Sequence, residues 1–193
     1  MSLYFDYKNN LEPKKGRLLI SEPHLPDFNF DRTVILLCEH SNDGSFGFVI
    51  NKPSKVSLND ILKHSMDIES KVFIGGPVEQ NTLHFIHRSS FDIEGEIEIA
   101  EGIYWGGDFN QILDKSNTQQ LEQEDVRFFL GYSGWGVGQL EQEIEANSWI
   151  VYDMEDSNLI FDLEENLLWK TLLQDMGGRF SMYSKYPNDP RLN

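Results

Sequence analysis

The central segment of this sequence reads Val126-Arg127-Phe128-Phe129-Leu130-Gly131-Tyr132-Ser133-Gly134-Trp135-Gly136-Val137-Gly138-Gln139-Leu140-Glu141. Its first residues are rich in β-branched and aromatic side chains, which predicts a strand over Val126–Tyr132. The glycines that follow predict a tight turn, in which positive φ angles let Trp135 pack closely. A helix is predicted from this turn to about Ala146. Because phosphate loops share this order of elements, the turn is the first place to look for a functional site.

The turn lacks the glycine spacing of a phosphate loop. The pattern Gly-x-Gly-x-x-Gly would need a glycine at the position of Gln139 or Glu141, and the chain contains no Gly-Lys-Ser or Gly-Lys-Thr. The glutamates at the start of the helix already complement its positive end and would repel a bound phosphate. The sequence therefore disfavours a nucleotide site here.

The same turn resembles a nucleophile elbow only in part. Ser133 follows Gly131 by two positions, but Trp135 stands where the second glycine of that motif belongs. Serine chemistry would also need a histidine and an acid that only the fold can bring to the serine. We interpret the turn as structural and keep a small hydrolase that uses Ser133 or His40 as the alternative.

Apolar and β-branched runs predict further strands on both sides of the central segment. They are Arg17–Ser21, Thr33–Cys38, Phe46–Asn51, Val72–Gly75, Thr82–His87, Glu96–Ala100, Trp149–Tyr152 and Asn158–Phe161. Additional helices are predicted over Leu58–His64 and Phe109–Lys115 and after Asp162, where Asp162 and Glu165 resemble a capping box and Gly177-Gly178 ends the helix. Strands and helices are interspersed without regular alternation, which predicts a single α+β domain over residues 1–193. Two prolines near the end predict an extended C-terminal tail from about Met182.

Charge is unevenly distributed along the chain. The net charge is −16, and the segment from Asp92 to Glu165 holds 19 acidic residues with only Lys115 and Arg127 as bases, a net charge of −17. Such a segment repels phosphate backbones, whose binding depends on clustered lysine and arginine. Direct nucleic-acid binding is therefore disfavoured, and a basic protein partner fits the charge better.

Several classes of protein are disfavoured by what the chain lacks. It has no apolar run of the ~18 residues that span a bilayer and no signal-peptide pattern, so we expect a cytoplasmic protein that does not bind membranes. The single Cys38 lies in an apolar run and is expected to be a buried, inert thiol. His84 and His87 point to opposite faces of a strand, and no metal motif occurs, so no metal or other cofactor is predicted.

A set of ordered motifs extends over almost the whole chain. It comprises Gly16-Arg17-Leu18-Leu19-Ile20-Ser21 with Pro23, Asp27 and Phe30, Arg32-Thr33-Val34 running to Glu39-His40, Gly47-Phe48-Val49-Ile50-Asn51-Lys52-Pro53, Gly75-Gly76-Pro77-Val78, Gly131–Trp135 with Gly138-Gln139-Leu140-Glu141 and Glu143, and then Asn147, Trp149 and Trp169. In order and number these motifs resemble the YqgE/AlgH family of bacterial proteins. The resemblance implies a compact α+β fold with a mixed, partly barrel-like sheet flanked by helices. It implies no particular activity, although members are often described as transcriptional regulators.

The motifs lead to one functional hypothesis. No helix is basic enough to lie in a major groove, so we expect a non-catalytic binding or regulatory protein that acts through a protein partner. The candidate binding surface consists of His40, Asn51, Gly75, Gly76, Ser133, Trp135, Gln139 and Glu141. Glycine allows close approach of a partner's backbone, and Trp135 is the expected anchor. The sequence leaves open the oligomeric state and the distances between His40, Ser133 and Glu141.

Overall fold

The computed structural model describes residues 7–62, 70–88, 91–162 and 164–186. Its strands are β1 (Leu18–Ser21), β2 (Val34–Ser41), β3 (Gly44–Val49), β4 (Pro53–Ser57), β5 (Lys71–Ile74), β6 (Val78–Arg88), β7 (Ile97–Ala100), β8 (Ile103–Trp105), β9 (Val126–Trp135) and β10 (Trp149–Tyr152). Its helices are α1 (Leu58–Leu62), α2 (Phe109–Asn117), α3 (Gln139–Glu145), α4 (Leu159–Asp162), α5 (Glu165–Asp175) and α6 (Gly178–Tyr183), with a 3₁₀ turn at Gln123–Asp125.

Strand β9 is the centre of the sheet. The strand order is β10-β1-β2-β3-β9-β6-β8-β7, and β5 joins β9 while pairing with β4. The second half of β9 pairs with β3, since Ser133 lies opposite Gly47 and Trp135 opposite Ser45. Its first half pairs antiparallel with β6 and parallel with β5. The predicted glycine turn is confirmed in kind but begins later than expected: Ser133–Trp135 still belong to β9, and the chain turns at residues 136–138.

The sheet is mixed and curled. Leu18 and Ile20 of β1 share one buried cluster with Ile99 of β7 and Ile103 of β8, although these strands lie near opposite ends of the strand order. The described strands nevertheless form no pairing that closes the sheet into a barrel. The predicted α+β fold, with a mixed sheet flanked by helices, is confirmed.

Helices cover the sheet where its apolar residues would otherwise face water. Helix α5 buries Leu168, Trp169, Leu172 and Leu173 against the same cluster that contains Leu18 and Ile20. Burial of a side chain of this size stabilises the fold by about 1.5–3 kcal/mol. Two further clusters lie under α1 with α2 and under α3. Within the described ranges, no helix is long and apolar enough to cross a membrane.

The predicted chain end differs from the structure in three ways. Asn158–Phe161 was expected as a strand, but residues 159–162 form α4, because a short apolar run does not distinguish strand from helix. The prediction of a capping box at Asp162 and Glu165 is wrong, because the N-cap of α5 is Glu164, which makes no side-chain cap hydrogen bond. Gly177-Gly178 ends α5 as predicted, but α6 starts directly afterwards.

Two predictions extend beyond the described residues. The predicted tail begins near Met182, whereas α6 continues to Tyr183, and residues 187–193 of that tail lie outside the described part of the chain. The first helix was predicted to end at His64, which also lies outside the described residues. The described part of this helix, α1, ends at Leu62.

Candidate functional site

A β-bulge in β2 directs His40 towards α3. Leu37 lies opposite Gly47, but Glu39 already lies opposite Phe46, so Cys38 is an extra residue in the ladder. The insertion shifts the alternation of side chains by one position. His40 therefore lies opposite Ser45, on the face of the sheet that α3 covers, and Cys38 is buried in the core. The predicted burial of Cys38 is confirmed, and this burial raises the pKa of its thiol.

His40 joins three elements of the fold. Its Nδ1 is 2.7 Å from Ser45 Oγ on β3, and its Nε2 is 3.7 Å from Glu141 Oε1 on α3. The His40 side chain is 20% exposed and that of Glu141 is 47% exposed, so solvent reaches the pair. A partly exposed imidazole between a hydroxyl and a carboxylate can donate or accept hydrogen bonds to a bound molecule.

A single carboxylate fixes α3 to the sheet. Glu143 Oε2 accepts hydrogen bonds from the indole nitrogens of Trp135 at 2.8 Å and Trp149 at 2.7 Å. Its Oε1 accepts another from Gln139 Nε2 at 2.9 Å, and Gln139 in turn accepts the Gly136 amide at 3.0 Å. Trp135 is therefore a buried part of this clamp, only 7% exposed, and it is not the exposed anchor that the sequence suggested.

The loop at residues 136–138 presents an exposed apolar side chain, Val137, with 73% of its surface accessible. Next to the loop lies a pocket of about 190 Å³, lined by Glu39, Ser41, Asp43, Gly44, Ser45, Phe46 and Trp135. We use the name α3 surface for the partly or fully exposed His40, Val137, Gln139 and Glu141, together with the buried Ser45 that hydrogen-bonds to His40.

The rim of the α3 surface is acidic. Glu39 and Asp43 of the hairpin and Glu141 and Glu145 of α3 are all exposed. None of them forms an ion pair with lysine or arginine anywhere in the described ranges. Residues 33–51 and 128–148, which build this region, contain no lysine or arginine at all. The surface therefore presents uncompensated negative charge beside an exposed apolar side chain.

The other predicted residues are buried and serve packing. Gly75 and Gly76, after β5, pass directly against Gly131–Ser133 of β9: a methyl group on Gly75 would lie 2.3 Å from the Gly131 carbonyl oxygen, and one on Gly76 equally near the Tyr132 carbonyl. Only glycine permits this approach. We call Gly75, Gly76, Gly131 and Ser133 the glycine contact.

Asn51 is a hydrogen-bonding core residue. Its side-chain oxygen accepts the Val34 amide at 2.9 Å, and its Nδ2 donates to the Arg32 carbonyl at 2.9 Å. The side chain thus ties the end of β3 to the start of β2, and only 7% of the residue is exposed. Asn51 belongs to the scaffold and has little surface left for a partner.

Ser133 is placed for structure and not for chemistry. It is fully buried, and its hydroxyl donates to the Gly75 carbonyl at 3.2 Å. It lies within β9 and not on an exposed elbow, so solvent and substrate do not reach it. The serine that hydrogen-bonds to His40 is Ser45.

His84 and His87 lie in different surroundings on β6. His84 is half-buried beside Phe48 and Tyr132, whereas His87 is fully buried near Glu96, at 3.4 Å, and the Gly106 carbonyl. Among the described residues, no three His, Cys, Asp or Glu side chains are grouped so that they could hold a metal ion.

Sequence reasoning missed Ser45, Val137 and Glu143. One signal for Ser45 was present: Ser41-Asn42-Asp43-Gly44 suits a hairpin with a two-residue loop, and pairing Ser41 with Gly44 puts His40 opposite Ser45. No local signal identifies Glu143 as the acceptor of two indoles, because Trp135 and Trp149 reach it only after β1, β2 and β3 have brought β9 and β10 together.

The fold and the site define an α+β protein with one curled mixed sheet and an acidic surface at the β9–α3 junction. The chain belongs to the AlgH-like family, whose model matches residues 18–181, and this confirms the resemblance seen in the sequence. It is 43% identical to a UPF0301 protein of Cytophaga hutchinsonii over 180 residues, which cover 93% of this chain and 98% of the relative. A UPF0301 protein of Bacteroides thetaiotaomicron is 39% identical over 186 residues, covering 96% and 94% of the two chains.

Two solved structures share the fold. The crystal structure of a Corynebacterium diphtheriae protein matches with a TM-score of 0.74 and 22% identity, covering 93% of this chain and 95% of that one. The solution structure of the AlgH protein from Pseudomonas aeruginosa matches with a TM-score of 0.68 and 28% identity, covering 90% and 94%. Both matches extend over nearly the whole length of each chain, so the architecture is that of the family.

Proposed function

We propose that this protein is a non-catalytic binding protein, and that its α3 surface binds a basic, lysine- or arginine-rich segment of another protein. The observation that carries the proposal is the uncompensated acidic rim around an exposed Val137. An apolar side chain surrounded by charge is the usual composition of a small recognition patch, in which the apolar contact supplies affinity and the charges supply orientation.

The rigidity of the region supports the same function. The clamp of Glu143 on two buried indoles holds α3 in place, and Gln139 holds the loop that presents Val137. A surface fixed before binding loses little conformational entropy when the partner arrives. If the protein acts in transcription, this surface would act through a protein, since its charge opposes DNA.

The test is a comparison of matched charge reversals in a capture experiment. Wild type, Glu141→Lys, Val137→Asp and Asp114→Lys are immobilised, and proteins retained from a lysate are identified by mass spectrometry. Asp114 is exposed on α2, so Asp114→Lys changes the net charge as much as Glu141→Lys does but outside the α3 surface.

A partner with a basic segment should be retained by wild type and Asp114→Lys and released by salt. Glu141→Lys should weaken its retention by about tenfold or more, and Val137→Asp should make that retention more dependent on salt, because it replaces the apolar contact with a further negative charge. Circular dichroism must show all four proteins folded. Equal capture of the partner by all four proteins would contradict a specific binding surface. An equal loss of capture in Glu141→Lys and Asp114→Lys would contradict it as well.

One observation favours hydrolysis as a second candidate function. Ser45, His40 and Glu141 form a serine, histidine and carboxylate chain with distances of 2.7 Å and 3.7 Å. The order of contacts is reversed relative to serine hydrolases, in which the serine meets Nε2 and the acid meets Nδ1. The reversal and the exposure of Glu141 place this candidate second.

A fluorophosphonate probe separates the two candidates. Hydrolase chemistry predicts labelling of wild type and of Ser133→Ala but no labelling of Ser45→Ala. A folded wild-type protein that takes no label would exclude serine chemistry at this site. That result would leave the binding proposal unaffected.

A further inference from the structure

A second site lies away from the α3 surface. A cleft of about 730 Å³ forms where residues 14–17, the end of β6 at Arg88, the β7–β8 turn and residues 153–158 meet. This volume is within the range of about 300–1,000 Å³ that small-molecule sites occupy. We call it the charged cleft, because eight of its lining residues carry a charge.

The basic side of the charged cleft is fixed by a tight turn. Arg17 N donates to the Lys14 carbonyl at 3.0 Å, and Gly16 has a φ of +87°. A methyl group on Gly16 would lie 2.8 Å from the Ile99 carbonyl oxygen, so the turn is seated directly on β7. The turn thereby brings Lys14, Lys15 and Arg17 to the cleft that Arg88 also lines.

The basic residues divide into structural and unpaired groups. Arg17 is bound to Asp153 at 3.1 Å and to the Glu12 carbonyl at 2.7 Å. Arg88 is paired with Asp162 and lies 4.9 Å from the centre of the Phe161 ring. Lys14 and Lys15 are exposed and form no ion pair with any described residue, although the chain has a net charge of −16.

The acidic residues of the charged cleft come from other elements. Glu101 lies in the β7–β8 turn, and Glu155 and Asp156 lie in the loop after β10. Unlike Asp153, these three form no ion pair within the described part of the chain. The cleft therefore offers unpaired ammonium groups from one element and unpaired carboxylates from two others. That arrangement matches a ligand that carries both charges.

We propose that the charged cleft binds a zwitterionic small molecule, an amino acid or a short peptide, with its carboxylate at Lys14 and Lys15 and its ammonium group at Glu101, Glu155 and Asp156. Ile99, Ala100 and Met154 also line the cleft and supply its apolar surface. Lysine binds a carboxylate as a compact point charge, and its flexible stem adapts to the position of the ligand. This proposal is independent of the α3 surface.

The first experiment compares free and blocked peptides on the full chain. Alanine, tri-alanine and N-acetyl-tri-alanine amide are titrated into ¹⁵N-labelled protein, and the amide resonances of Gly16, Gly102 and Asn158 are followed by NMR. The peptide with free termini should shift these resonances and bind about tenfold more tightly than the blocked one. No shift from alanine or tri-alanine up to millimolar concentrations would overturn the proposal.

Variants then assign the two ends of the ligand. Lys14→Gln/Lys15→Gln and Glu155→Gln/Asp156→Asn should each weaken tri-alanine binding by about tenfold. Lys8→Gln/Lys170→Gln removes two exposed lysines outside the cleft and should leave binding unchanged. Unchanged binding in the cleft variants would contradict the site. Binding of inorganic phosphate without binding of tri-alanine would overturn the zwitterion in favour of a phosphate ligand.

Discussion

The glycine contact and the region of the α3 surface both contain glycines next to polar or aromatic residues, but these glycines have different roles in the two regions. In the glycine contact, Gly75, Gly76 and Gly131 are buried and let two segments of backbone touch, with Ser133 hydrogen-bonded between them. Beside the α3 surface, Gly136 and Gly138 lie in the loop that presents Val137. A methyl group on either glycine would meet nothing closer than 3.9 Å. A glycine beside a polar or aromatic residue can therefore indicate either close backbone packing or an exposed loop. Only the burial of the glycine in the structure distinguishes the two.

Gly131→Ala tests the buried side of this comparison and should have the largest effect. The substitution forces a side chain into a φ of +66° and sets its methyl group 2.5 Å from the Val78 carbonyl oxygen. Strain and overpacking together should lower the free energy of unfolding by about 3–5 kcal/mol. Urea denaturation followed by circular dichroism measures this loss. Gly136→Ala is the control in the α3 loop and should change stability by about 1 kcal/mol or less.

A loss in Gly131→Ala no larger than in Gly136→Ala would break the distinction between the two regions. It would show that β9 can move away from Gly76 and the start of β6 without loss of stability.

Glu143→Ala tests whether the α3 surface depends on its buried support. The indole nitrogens of Trp135 and Trp149 would lose their acceptor, which should lower the free energy of unfolding by about 2–3 kcal/mol. Glu145→Ala, in the same helix but exposed, should stay within about 0.5 kcal/mol of wild type. Thermal unfolding in a calorimeter compares the two. Equal stabilities of Glu143→Ala and Glu145→Ala would mean that the hydrogen bonds of Glu143 do not hold α3 on the sheet.

Asn51→Ala tests a predicted surface residue that the structure assigns to the core. The Val34 amide would lose its acceptor, so we expect a decrease of about 1–2 kcal/mol in the free energy of unfolding and no change in partner capture. Asn42→Ala, in the exposed hairpin loop, is the control for stability. Loss of capture in a folded, stable Asn51→Ala would instead restore Asn51 to the binding surface.

His84 beside the glycine contact should give the smallest effect. Burial lowers the pKa of His84 below its ordinary 6.5, and the charge of Glu79 opposes this only in part. Because the folded state disfavours protonation, its full stability is present above pH 6.5 and decreases as the pH falls below that value. Unfolding at about pH 7.5 and about pH 5.5 should therefore show a larger acid-induced loss in wild type than in His84→Gln. Equal acid-induced losses of stability in wild type and His84→Gln would contradict the assignment of this pH dependence to His84.

Most of the fold could be predicted because its strands have local signals. Trp149–Tyr152 was predicted with its observed bounds, and the apolar runs of β1, β2 and β5 were placed within a few residues. The errors occur where pairing decides structure. Ser133–Trp135 continue β9 only because β3 lies beside them, and Leu159–Asp162 is helical although its apolar run suits a strand equally well.

The candidate site was predicted only in part for the same reason. His40, Gln139 and Glu141 were named, but their meeting depends on the bulge at Cys38 and on the pairing of β3 with β9. Asn51 and Ser133 were named for their polarity, and the structure uses that polarity inside the core. The charged cleft joins residues 14–17 to residues 153–158, which no local pattern connects.

The clamp at Glu143 gives the molecule an intrinsic optical probe. Two of its four tryptophans share one carboxylate on α3, and their rings meet edge to face with centres 6.0 Å apart. Indole emission depends on the polarity and hydrogen bonding around the ring, so any displacement of α3 alters both emitters together. Loss of the clamp, as in Glu143→Ala, should therefore change the protein's own fluorescence, without a label.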